Sequence, residues 1–353
     1  MNSTTAPASN VTLINVSEQE TFNTTSSKLR EWDLLPKGYY GDTSVLLWRV
    51  IPPILITIGT IGNTMTMFVL LRQKKMTSTA LFLFALALSD TLTLFSAVLN
   101  GWMRFTWDLN IQMLSRTACK AHVYLTYCSV HLSSWFIVAV TLERTACVLI
   151  PHKVRLGCSP RNAGLIIFAI VLAVLGINII LPVIIDLKFV DYIGDHGWGC
   201  YPSNKVYFEL FYSVYQWIDI TLYFGAPFPL LLTGNVIIVV QLARSRSRNR
   251  RMRISGQGRD TRRLSILMIA LCGLFFLTMT PMAVMAVYSE NRFEKIFALK
   301  PVDPYTAWND YQYLLFLRTV VELVGYFNNT FNFVVYVFSG SKLQTELKNA
   351  LCC

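Results

Sequence analysis

The 353 residues are 54% hydrophobic and only 14% charged, too apolar for an ordinary soluble domain. The net charge of +11 does not describe a nucleic-acid surface, because it is confined to short segments between apolar runs instead of spreading over one face. Those runs reach about 20 residues, enough for a helix to cross roughly 30 Å of hydrocarbon, and they predict an all-α membrane protein of seven transmembrane helices.

Residues 1–45 are polar and lack the apolar stretch of a cleavable signal peptide, so the first span is expected to act as its own insertion signal. Sequons at Asn2, Asn10, Asn15 and Asn23 predict a glycosylated, extracellular, disordered N-terminus. The spans are predicted at 46–71, 79–102, 117–150, 163–185, 206–242, 264–288 and 311–338, with the third and fifth long enough to tilt or project into water. Residues 339–353 follow as a short amphipathic helix, with Leu343, Leu347, Ala350 and Leu351 on its apolar side, lying on the membrane surface. The chain stops at Cys352 and Cys353, candidates for palmitoylation that would tie this helix to membrane lipids.

Basic residues test the topology. Arg72, Lys74 and Lys75 follow the first span, Lys153, Arg155 and Arg161 the third, and an arginine-dense run from Arg244 to Arg263 the fifth. All three segments fall on the side expected to be cytoplasmic. The arginine-dense loop has two readings that remain open, affinity for anionic lipid and contact with a protein partner. The expected location is the plasma membrane, multi-pass, with the N-terminus outside.

Of eight cysteines, Cys119 and Cys200 alone fall on the extracellular side, so a disulfide between them is the economical reading in an oxidising compartment. Cys128, Cys147, Cys158 and Cys272 are expected to be reduced thiols. Polar groups within spans cost roughly 2.5–3.5 kcal/mol when charged and central. Asp90, Asn63, Ser133, Asn328, Asn329 and Asn332 lie at comparable depth, and they predict either a hydrogen-bonded cluster or a cation site.

The Asn63 span, the segment Ala85-Leu86-Ala87-Leu88-Ser89-Asp90, Cys119, the Glu143-Arg144-Thr145 triplet and Asn332-Phe333-Val334-Val335-Tyr336 occur in this order. Together they resemble the rhodopsin-like (class A) G-protein-coupled receptors, over residues 46–353. The resemblance implies an allosteric sodium ion on Asp90, Ser133, Asn328 and Asn332, with Asp90 as the metal-binding acid and no other cofactor. It also implies that Glu143 holds Arg144 at rest, that Arg144 meets a heterotrimeric G protein when the sixth span swings outward, and that Phe275, Met279, Pro281 and Tyr336 are switch positions. The chain departs from the family where Met279 replaces a tryptophan and Phe333 a proline, where the fourth span lacks its tryptophan, and where Asn235 stands in place of a tyrosine. Pro281 still removes a helix hydrogen bond and bends the sixth span.

By the same alignment Thr126 occupies the place of the acid that amine receptors use, and Tyr326 that of the retinal-binding lysine, which argues against both ligand classes. The outer half of the bundle offers Asn100, Arg104, His122, Thr126, Tyr127, Gln216, Asp219, Arg318, Glu322 and Tyr326, a mixture of charge and aromatic surface suited to an extracellular peptide ligand. The ending of the seventh span is similar to neuropeptide receptors of the FMRFamide-like kind. Glu322 or Asp219 is expected to receive a basic ligand residue. The competing readings are an ion pair of Glu322 with Arg318 one turn away, and a hydrogen bond from a neighbouring span to Asp219.

Other classes fit less well. A transporter predicts internal repeats, which the two halves do not display, and an enzyme predicts motifs such as HExxH or GxSxG that do not occur. An orphan or constitutively active receptor remains the alternative within the class. With Ser339, Ser341 and Thr345 as the tail's hydroxyl residues, arrestin, if recruited, is expected to read the third cytoplasmic loop.

Overall fold

The computed structural model describes residues 38–73, 75–149, 159–192, 195–252 and 259–339. The four sequons, Cys158, the terminal amphipathic helix, Cys352 and Cys353 lie outside the described residues. Among these residues seven long helices form one bundle: α1 Tyr39–Leu71, α2 Ser78–Trp107, α3 Arg116–Leu149, α4 Pro160–Ile184, α5 from Lys205 on to Met252, α6 Arg259–Leu299 and α7 Pro304–Ser339. Among the described residues, α1 to α6 are long and apolar enough to cross a membrane. The seventh carries Arg318, Glu322 and four asparagines, and its polar side is turned into the bundle, where Asn328, Asn329 and Asn332 are buried.

The helices begin where side chains satisfy their first N–H groups. Thr77 accepts from Ala80 N, Ser159 from Asn162 N ahead of Pro160, and Asn204 from Tyr207 N, each an N-cap that meets an otherwise orphaned donor. Asp303 does the same for α7, accepting from the N–H and hydroxyl of Thr306. Those two bonds hold its carboxyl below the usual carboxylate range.

The central core, around Leu86, Phe136, Ile137, Leu231, Ile238, Met268, Leu271 and Phe275, joins α2, α3, α5 and α6. On the opposite side of the bundle, α1 turns Gly59, Gly62, Asn63 and Thr66 inward. A Cβ on Gly59 would stand 3.2 Å from the Thr330 backbone, so this strip of small residues is what lets α1 lie directly on α7.

Several elements differ from the sequence expectation. Helix α1 starts at Tyr39, inside the segment expected to be disordered, because Tyr40 packs against Tyr313 and Phe316 of α7 at 5.0 and 5.8 Å. The loop expected between the sixth and seventh spans shrinks to a short turn. Phe293, Ile296 and Leu299 of α6 and Ala307, Trp308, Tyr311 and Leu314 of α7 form a second apolar cluster there, and Arg292 bridges to Asp310 at 3.3 Å. Between α4 and α5 the chain folds into an antiparallel hairpin, β1 Ile185–Tyr192 and β2 Asp195–Pro202. Its Phe189–Trp198 cross-strand pair meets edge to face.

Cys200 lies on β2 opposite Leu187 and is bonded to Cys119 at the start of α3. The bridge closes 81 residues of chain, a constraint on the unfolded state that contributes about 4–5 kcal/mol in the chain-entropy model. Cys119→Ser and Cys200→Ser are each expected to lower the thermal midpoint of the purified protein by the same amount as the double substitution. An additive double variant would mean that the two sulfurs act separately.

Candidate functional site

Two polar assemblies occupy the interior of the bundle. In the deeper one, Asp90 of α2 is 0% exposed. One of its carboxylate oxygens accepts from Ser133 Oγ of α3 at 2.6 Å and from Asn329 Nδ2 of α7 at 2.8 Å, and the other from Asn332 Nδ2 at 2.8 Å. Asn63 of α1 donates to the Asn329 carbonyl at 3.1 Å. Three helices thus meet on one carboxylate, with α1 joined to them through the Asn329 backbone, as the cost of leaving a charge unpartnered in hydrocarbon requires.

The membership differs from the expected set by one residue. Asn329 reaches Asp90, while both side-chain atoms of Asn328 are buried without a hydrogen-bond partner, as are Asn63 Oδ1 and Asn332 Oδ1. The register decides this: one residue along α7 is a rotation of about 100°. The donor set of a carboxylate, a hydroxyl and unpartnered amide oxygens is the oxygen-rich kind that a hard cation takes.

Toward the arginine-rich end, Glu143 accepts hydrogen bonds from Ser78 and, at 2.8 Å, from Thr79, and its carboxylate lies 3.5 Å from the Arg144 guanidinium. The two hydroxyls at the start of α2 fix the acid, which in turn fixes the arginine. Thr145 donates to the Gly234 carbonyl of α5 at 3.3 Å, and Thr141 meets the Cys272 thiol of α6 at 3.6 Å. In α6 Phe275 is fully buried and Met279 nearly so, two residues before Pro281. Tyr336 lies on the last turns of α7.

Toward the disulfide end, the outer assembly centres on Tyr127 of α3. Its ring is within electrostatic reach of Asp219 and Tyr212 of α5 and of Arg318 and Glu322 of α7. Arg318 and Glu322 pair at 3.3 Å, as their spacing suggested. Tyr326 packs edge to face on Trp48 of α1 at 6.4 Å, and Gly101 makes room for that indole. Thr126 Oγ1 is buried without a partner, and Gln216 donates to the Ala286 carbonyl of α6 at 3.4 Å.

Other predicted residues are committed to structure. Asn100 accepts from Ile111 N at 2.9 Å and donates to Asn110 Oδ1 at 3.3 Å, pinning the α2–α3 turn. Arg104 is exposed, with its guanidinium 5.7 Å from the Phe105 ring centroid. His122 contacts the Ser96 carbonyl at 2.6 Å and the Gln112 amide at 2.9 Å. Ser96 lies in a π-turn, Leu94–Val98, the kind of helix bulge that re-aims backbone groups and recurs at functional sites.

The hydrogen bond expected from a neighbouring span to Asp219 is present, but sequence reasoning did not name its source or the chain behind it. His131 Nε2 meets Asp219 Oδ1 at 2.8 Å, its Nδ1 meets Asn178 Nδ2 at 3.0 Å, and Asn178 Oδ1 accepts from the Tyr215 hydroxyl. Asn178 Nδ2 also donates to the Val174 carbonyl at 2.7 Å. The signal that could have found this chain was the rule applied to Asp90: His131 and Asn178 are polar groups inside spans and must find partners in the interior.

The model of the 7 transmembrane receptor (rhodopsin family) matches residues 62–336. Similar curated proteins include human galanin receptor type 2, 32% identical over 32% of this chain and 30% of that receptor. The bovine thyrotropin-releasing hormone receptor is 29% identical over 41% of this chain and 36% of its own length, and human galanin receptor type 3 is 25% identical over 46% and 44%. The chain thus spans less than half the length of these relatives. With three helices meeting on Asp90, the Glu143–Arg144 pair closing α3 and a match across most of the bundle, the chain belongs to the rhodopsin family of seven-transmembrane receptors.

Proposed function

We propose that this receptor lies in the plasma membrane with its N-terminus outside, binds a neuropeptide at the outer assembly around Tyr127, and passes the signal to a heterotrimeric G protein at the arginine-rich end. The observation that carries the reading is the restrained Arg144. A cation is held by its neighbour Glu143 at the inner end of α3, where α5 and α6 also meet α3 through Gly234 and Cys272. Helix α6 meets α3 about one turn before Arg144, and Pro281 supplies the bend about which α6 would move to open the space there. The peptide assignment draws on the galanin and thyrotropin-releasing hormone receptors among the similar proteins and on the mixed charge of the outer assembly. The exposed apolar side chains of α1, α4 and α5 suit contact with membrane lipids.

Asp90, Ser133, Asn328 and Asn332, with Asn329 added, suit a sodium ion. The carboxylate would supply the charge and the hydroxyl and amide oxygens the remaining ligands. A cation that binds the resting arrangement more tightly shifts the equilibrium toward it by its differential affinity.

The test is a screen of synthetic neuropeptides on cells that carry the receptor and a promiscuous G-protein reporter, in parallel with Glu143→Gln. The variant removes the charge that holds Arg144 and is expected to raise basal signalling several-fold at equal surface expression. An unchanged baseline, together with no response to any peptide, would remove the receptor reading of this site.

A further inference from the structure

The outer assembly holds two acids, and their surroundings differ in a way that selects one of them. Of the charged groups within electrostatic reach of Tyr127, Glu322 is paired with Arg318 one turn away on its own helix. It therefore already has an opposite charge beside it before any ligand arrives. Asp219 is held by His131, whose contribution depends on which ring nitrogen carries the proton.

The hydrogen bonds settle that point. The Val174 carbonyl can only accept, so the Asn178 atom 2.7 Å from it is the amide nitrogen. The same nitrogen faces His131 Nδ1 at 3.0 Å, and Tyr215 donates to the amide oxygen. Nδ1 must then accept, which leaves the imidazole proton on Nε2, directed at Asp219 Oδ1 2.8 Å away. His131 thus gives Asp219 a hydrogen bond without a positive charge. It orients the carboxylate and leaves its full negative charge in place.

Asp219 is also positioned to be met. Its side chain is 23% exposed while that of His131 is fully buried, so the histidine approaches from the protein side and the rest of the carboxylate is open. Tyr127 stands between the two acids' helices, edge to face with Tyr215 at 5.6 Å, and contributes an aromatic face of the sort that suits cations. From this geometry we infer that Asp219, oriented by the Asn178–His131 chain, is the docking point for a cationic group of the ligand, and that Glu322 is not. The inference rests on the peptide-receptor reading and narrows it to ligands with an arginine- or lysine-like group that enters beside Tyr127.

The probe is a set of synthetic peptides in matched pairs, each arginine peptide beside its citrulline counterpart, which keeps the shape and loses the charge. Potency ratios are measured with the G-protein reporter on the wild-type receptor, Asp219→Asn and Glu322→Gln, all at matched surface expression. Asp219→Asn keeps an oxygen for His131, so the support should survive. The wild-type and Glu322→Gln receptors are expected to prefer the arginine member by about 30- to 1,000-fold, the range produced when one partner of a buried charge pair is lost. For Asp219→Asn the ratio is expected to fall to within about threefold of one.

His131→Ala, which removes the orienting N–H, should lower the same ratio while sparing potency of the citrulline peptides. A ratio kept in Asp219→Asn, or lost in Glu322→Gln, overturns the assignment. A wild-type ratio of one overturns it too and leaves the peptide reading standing, whereas silence of every peptide on the surface-expressed wild type removes both.

Discussion

Asp90→Ala is expected to destabilise the receptor by about 3–5 kcal/mol, the loss seen when one partner is removed from a buried charged network. The substitution leaves Ser133 Oγ and Asn332 Nδ2 without their acceptor and Asn329 Nδ2 with only Ser133 Oγ at 3.3 Å, at a site closed to solvent, and each buried donor so stranded costs about 1–3 kcal/mol before relaxation. Asp90→Asn separates shape from charge. It fills the same volume, but one of its positions becomes an N–H group facing a donor, so a smaller loss of about 1–3 kcal/mol is expected.

The two variants should also part company in their response to sodium. If the carboxylate anchors a cation, replacing choline chloride with sodium chloride stabilises the wild-type protein and weakens agonist binding, and Asp90→Asn abolishes both effects. The measurements are the thermal midpoint of the detergent-solubilised receptor in the two salts and agonist affinity in membranes. Equal sodium effects in wild type and Asp90→Asn would mean that the cluster is held by hydrogen bonds alone.

What could be read from the chain, and what could not, divides along a physical line. Hydropathy and the placement of arginines convey the order of spans, because the cost of burying charge in lipid acts on every residue independently. The same cost brings Asp90, Ser133 and Asn332 together, since each must find a partner in the interior. The choice of Asn329 over Asn328 depends on the rotation of α7 about its axis, which a row of asparagines leaves open. The His131–Asp219 contact joins residues 88 apart, and no periodicity within α3 or α5 marks it.

Helix extension was hidden for a different reason. Glu290, Arg292, Glu294 and Lys295 look like loop residues beside a membrane, yet Phe293, Ile296 and Leu299 keep a helical apolar spacing and pack onto α7. The β1–β2 hairpin carries two glycines and a cysteine among the six residues 195–200, too irregular to read as a strand. Its register shows only in the backbone pairing.

Gly62→Ala is expected to cost about 1–3 kcal/mol, the usual penalty for overpacking a well-filled interface. A Cβ at position 62 would stand 2.0 Å from Phe333 Cδ1 and 2.2 Å from its Cγ. The nearer part of the ring is tied to the α7 backbone through a single carbon, so it has little freedom to retreat. Phe333 is also the residue that replaces a proline relative to the family pattern. A proline there would remove the N–H that α7 directs at the carbonyl of Asn329 and would crowd that oxygen. With phenylalanine the helix runs unbroken to Ser339, the Asn329 carbonyl is also met by Asn63 of α1, and the ring fills the notch that Gly62 leaves.

The substitution and the glycine therefore form one device joining α1 to α7, next to the network on Asp90. A double-mutant cycle tests this. Gly62→Ala should destabilise the wild-type receptor and do little in a Phe333→Ala background, with a coupling energy of about 0.5–3 kcal/mol from thermal unfolding of the four proteins. Strict additivity would show that the ring and the glycine are independent, and would return the missing proline to an unexplained departure.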